Sequence, residues 1–95
     1  MKELSIKTKY RIGDTVWFAD YIYDTVYPCE HAGKIEGIEI TITDKGQRTF
    51  YRMSVDCGEY SRYEEHQECM CFGSYEECTK WCEARNKGDN NESTN

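Results

Sequence analysis

The chain has 95 residues, 38% of them hydrophobic and 14% aromatic, and a net charge of −6. That length suits one small domain and excludes a second core, and the acidic balance argues against ordinary binding to a phosphate backbone through clustered Lys and Arg. The charge is unevenly spread. Lys2, Lys7, Lys9 and Arg11 against Glu3 make the first twelve residues +3, whereas Glu59, Glu64, Glu65, Glu68, Glu76, Glu77 and Glu83 against Arg62 and Lys80 make residues 59–83 −5.

Residues 1–9 read as a loose basic arm, and Leu4 and Ile6 sit between polar neighbours, so neither a signal peptide nor a membrane span is expected and the cytoplasm is the default location. Thr15 to Tyr23 is β-branched and aromatic, as a strand requires. A loop holding Pro28 follows. Lys34 to Thr43 alternates, with Ile38, Ile40 and Ile42 on one face, and Ile35 out of phase; Gly37 between the two registers is where a bulge would reset the alternation. Asp44, Lys45 and Gly46 suit a hairpin turn, and Thr49 to Cys57 returns with Tyr51, Met53, Val55 and Cys57 on one face. Glu59 to Gln67 is polar enough to read as a loop with one helical turn, and Cys69 to Phe72 as a short last strand. Ser74 with Glu77 has the spacing of a capping box, after which Tyr75, Cys78, Trp81, Cys82 and Arg85 recur at helical spacing as far as Gly88. The folded domain therefore spans residues 10–86, and 87–95 read as a disordered tail without apolar side chains to bury.

The fold class expected is mainly β with a C-terminal helix: a small antiparallel barrel of four to five strands plus one α-helix. The order strand, loop, long hairpin, short strand, helix resembles small SH3-like barrel proteins of phages, prophages and mobile elements. The resemblance rests on Ile12, Gly13, Asp14, Val16 and Trp17 at the opening, on Gly33, Lys34, Ile35 and Gly37 in the bent strand, and on Phe72, Ser74, Glu76 and Glu77 leading the helix. It covers about residues 10–86. It implies an accessory binding role with no established active site.

Six cysteines raise the question of metal. Cys69 and Cys71 at i, i+2 would share a strand face, and Cys78 and Cys82 at i, i+4 a helix face, so a four-thiolate zinc site is one reading. Burial of the thiols in the core is the simpler one, and native disulfides are a third. No other cofactor is expected. Cys29 and His31 invite a nucleophile and base reading, but no oxyanion-hole motif accompanies them, and phosphate-loop and zinc-protease patterns are absent, so no enzyme is expected.

Eight tyrosines exceed what so small a core can enclose, and Tyr21, Tyr23, Tyr27, Tyr60 and Tyr63 are the candidates for an exposed partner surface. Glu59, Glu64, Glu65, Glu68, Glu76 and Glu77 are its acidic candidates, since carboxylates can stand in for phosphates against a partner's Lys and Arg. The leading expectation is a non-catalytic inhibitor of a host defence complex, such as a CRISPR nuclease, that occupies a basic nucleic-acid site on a host protein. The alternatives are a nucleic-acid-binding regulator that uses the basic arm and exposed aromatics, and a zinc-stabilised structural module.

Overall fold

The computed structural model describes residues 6–94, with side chains from 6 to 87; residues 1–5 of the expected arm, including Lys2 and Glu3, and Asn95 of the expected tail lie outside the described residues. Strand β1 (Thr15–Ile22) organises the rest. Side chains alternate across a strand, so Val16 and Phe18 enter one apolar cluster while Trp17 and Ala19 enter another on the opposite face.

A two-residue turn, Tyr23–Asp24, leads to β2 (Thr25–Pro28), which pairs antiparallel with β1 in the register Tyr21↔Val26 and Ile22↔Thr25. The sequence predicts a loop here. With Val26 its only buried residue, four residues are too few for a period to show.

Strands β3 (Gly33–Thr43) and β4 (Gly46–Asp56) form the long hairpin. The register shifts between Ile35 and Gly37, where the out-of-phase isoleucine placed a bulge, so Ile35 opposite Met53 and Ile38 opposite Tyr51 face the same side. Glycine at 37 also leaves room for a side chain from β4: a Cβ there would lie 2.8 Å from Arg52 Nη2.

Residues read as a polar loop instead form β5 (Ser61–Gln67), paired along its length with β4 from Asp56↔Ser61 to Phe50↔Gln67. Its alternation is real, with Arg62, Glu64 and His66 half-buried and Tyr63 and Glu65 exposed. Both faces are polar, so hydropathy does not reveal it. A single 3-10 turn (Glu68–Met70) takes up Cys69, and the two-residue β6 (Cys71–Phe72) returns to β1 through Trp17↔Phe72 and Phe18↔Cys71.

Helix α1 (Tyr75–Thr94) starts at the expected cap, with Glu77 N–H donating to Ser74 Oγ at 3.1 Å. The reciprocal bond reaches one residue further back than a capping box does, because the Glu77 carboxylate accepts from the Gly73 N–H at 3.3 Å. The helix runs through Gly88 rather than stopping there.

The chain is thus mainly β, an open antiparallel sheet in the order β2-β1-β3-β4-β5 with β6 added to β1, plus one C-terminal helix. Six strands replace the four to five expected. Closure into a barrel is not found: among the described residues β5 pairs with β4 alone. One side of the sheet buries Val16, Phe18, Cys29, Ile35, Tyr51, Met53, Val55 and Cys71; the helix covers the other side, its Cys78 and Cys82 packing on Ala19 and Val26, with Trp17, Phe72 and Trp81 around them.

Candidate interaction surface

The β1–β2 hairpin carries Tyr21, Ile22, Tyr23 and Tyr27, all exposed. Tyr23 at its tip is 97% exposed and sits at φ +57°, the only non-glycine residue among those described with positive φ. Left-handed backbone is unfavourable for a bulky side chain by roughly 1–2 kcal/mol, and Tyr23 recovers nothing by packing. Cross-strand pairing puts Tyr21 on the helix side with Val26, and Tyr27 on the other face with Asp20. The Arg85 guanidinium lies 6.0 Å from the Tyr21 ring and 5.7 Å from the Trp81 ring, holding Tyr21 against the helix.

The outer edge of β2 is closed by one side chain that the sequence reading assigned no role. Val26 N–H donates to Asn86 Oδ1 at 3.0 Å, and Asn86 Nδ2 donates to Val26 C=O at 2.9 Å, so the carboxamide takes the place of a neighbouring strand. Polarity at a half-buried helical position was its only signal.

On the opposite side of the sheet, the inward residues of β5 form a polar row. Arg62 Nε pairs with Glu64 Oε2, His66 Nε2 meets Glu64 Oε1 at 2.9 Å, and the His66 ring stacks on Phe18 with centroids 4.3 Å apart. Arg62 Nη2 reaches Cys29 Sγ at 3.4 Å. Burial pushes the Cys29 thiol up, and the Asp20 carboxylate adds to this against the His31 backbone N–H and Arg62. His31 offers this thiol a backbone N–H.

The arm is tied down where it is described. Gln47 Nε2 donates to Lys7 C=O at 2.9 Å, Lys9 N–H to Glu68 Oε2 at 2.9 Å, and Tyr10 N–H to Tyr51 Oη at 3.1 Å. Tyr51 hydroxyl donates in turn to Glu68 Oε2 at 2.5 Å. Burial first, then this bond to a carboxylate, pushes the Tyr51 hydroxyl up to about 12.

The acidic candidates divide. Glu64 and Glu68 are used internally as described, and Glu77 caps the helix. Glu59 is exposed beside exposed Tyr60, Glu65 lies on the outer face opposite Arg52 and beside Tyr63, and Glu76 makes an exposed i, i+4 pair with Lys80 at 3.3 Å. The cysteine candidates divide too: Cys69 is exposed, Cys71 belongs to one apolar cluster, and Cys78 and Cys82 belong to the other. Burial pushes the Cys71 and Cys78 thiols up to about 12. Among the described residues no three His, Cys, Asp or Glu side chains are gathered to hold a metal, and no helix is long and apolar enough to cross a membrane. Comparison with protein-family models, curated proteins and solved structures returns no match, so the chemistry of these surfaces alone carries the functional reading.

Proposed function

We propose that the chain is a non-catalytic protein-interaction module that engages its partner with the β1–β2 hairpin, Tyr23 serving as the anchor. The observation that carries this reading is the placement of Tyr23, a fully exposed aromatic side chain on a backbone conformation that favours glycine or asparagine. Local stability gains nothing from it. Tyrosine is well suited to an anchor, since it offers large contact area and a polar handle at small entropy cost, and Tyr21 and Tyr27 extend the same hairpin. The net charge of −6 and exposed Asp24 and Glu30 beside the hairpin favour a partner with a basic surface. A nucleic-acid-binding site on a host protein is the most concrete such surface, and the chain would then act as an inhibitor of phage or mobile-element type. The return of β6 to β1 after a 3-10 turn supports the reading of the sheet as a small SH3-like barrel with an open seam.

Replacement Tyr23→Asn tests the reading, because it relaxes the turn while removing the ring. The variant should unfold at equal or higher urea concentration than the parent, yet lose at least tenfold in retention of the host protein captured by the parent at low salt. Capture that survives Tyr23→Asn, or that does not weaken as salt rises, would overturn it.

A further inference from the structure

The two edges of the sheet are finished differently. At β2 the bidentate Asn86 carboxamide occupies Val26, and Pro28 removes a further donor. At β5 nothing comparable is present among the described residues: seven residues without proline pair with β4 on one side only. The phase of this ladder follows from the turn before it. Cys57 N–H donates to Tyr60 C=O at 2.8 Å, and directly opposed pairs in an antiparallel ladder alternate between hydrogen-bonded and non-hydrogen-bonded. Val55 with Arg62, Met53 with Glu64 and Tyr51 with His66 are then the bonded pairs, and the backbone N–H and C=O groups of Tyr63 and Glu65 point to the open edge, whereas the Gln67 carbonyl accepts from Cys71 Sγ.

Charge decides what can lie there. Of the four glutamates in residues 59–68, Glu64 and Glu68 are engaged internally while Glu59 and Glu65 are exposed, and Glu65, although opposite Arg52, makes no ion pair among the described residues. A second copy of β5 paired antiparallel about Glu64 or about Glu65 would set glutamate opposite glutamate, and inward-pointing charged residues such as Arg62 and Glu64 are a common guard against pairing between copies. We infer that the open edge of β5 takes up an extended, lysine- or arginine-bearing segment of a partner protein as an added strand. Main-chain bonds to Tyr63 and Glu65 supply the affinity, and cations set beside Glu65 and Glu59 supply the selection. This site is separate from the hairpin of the proposed function, so each can fail without the other.

The probe is an acetylated, amidated octapeptide of alternating lysine and valine, with a copy N-methylated at all eight residues that has the same charge and no backbone N–H. The unmodified peptide should bind the intact chain and slow deuterium exchange at the Tyr63 and Glu65 amides. The methylated copy should bind at least tenfold more weakly. Glu65→Lys should weaken the unmodified peptide by a similar factor and Tyr23→Asn should leave it unchanged. Equal binding of the two peptides, protection confined to the β1–β2 hairpin, or protection of Tyr63 and Glu65 through self-association without peptide would each overturn the inference.

Discussion

Asn86 shows how much one side chain can do when its partner is backbone. Removing it in Asn86→Ala leaves the Val26 N–H and C=O without their partner, which should cost about 1–3 kcal/mol in urea unfolding, the usual range for half-buried polar groups that lose a bond. Asn86→Asp should cost at least as much, since the carboxylate keeps the acceptor but turns an anion toward the Val26 carbonyl. Thiol chemistry gives a second check at this scale. Cys69 is exposed and the thiols of Cys29, Cys71, Cys78 and Cys82 are buried and raised, so an aromatic disulfide reagent at pH 8 should modify Cys69 first and the buried four only on unfolding. The helical spacing of Cys78 and Cys82 was enough to put them together on a buried face. Nothing in the spacing of Asn86 could show a bond to a strand sixty positions earlier.

At the scale of elements, what could be read from the sequence follows the contrast between faces. Strand β4 alternates Tyr51, Met53 and Val55 with Arg52, Ser54 and Asp56, and the bulge at Gly37 follows from one isoleucine out of step; both are found. Strand β5 alternates charge with tyrosine and glutamate, so its period-two signal vanishes on any hydropathy scale although the pairing is continuous. The tyrosine candidates were legible as a surplus over core capacity, and all five are exposed; their separation between the β1–β2 hairpin and β5 with the turn before it depends on topology. Two substitutions test the packing of elements. Gly33→Ala would set a Cβ 2.8 Å from Met53 Cγ, deep in the first cluster, and should destabilise by about 1–3 kcal/mol as overpacking does. Ser74→Ala removes the acceptor for the Glu77 N–H and should cost about 1 kcal/mol, the usual value of an N-cap.

The whole molecule combines two apolar clusters that share β1 and hold groups whose ionisation opposes folding. Cys71 and Cys78 thiols are raised from 9.0 to about 12, and the Tyr51 hydroxyl from 10.0 to about 12, burial being the first cause in each. Between about pH 9 and 12 the unfolded chain therefore loses protons that the folded chain retains. The stability these three groups contribute is fully present below about pH 9 and falls as pH rises through that window. The urea midpoint should drop steeply from pH 9 to 11, and Cys71→Ser with Cys78→Ser should flatten the slope even though each costs stability at pH 7. A slope that stayed the same in the double variant would assign the alkaline loss to other groups.

The carboxamide clasp on β2 also makes one amide a clock. Val26 N–H is held by a residue in the second half of α1, so its exchange with deuterium requires release of the carboxamide, whether by turning of the Asn86 side chain, by loss of the hairpin or by unwinding of the helix past Asn86. Fraying of the helix past Asn86, otherwise silent in the sheet, can then be no faster than the opening timed at Val26, on a strand on which the helix itself rests.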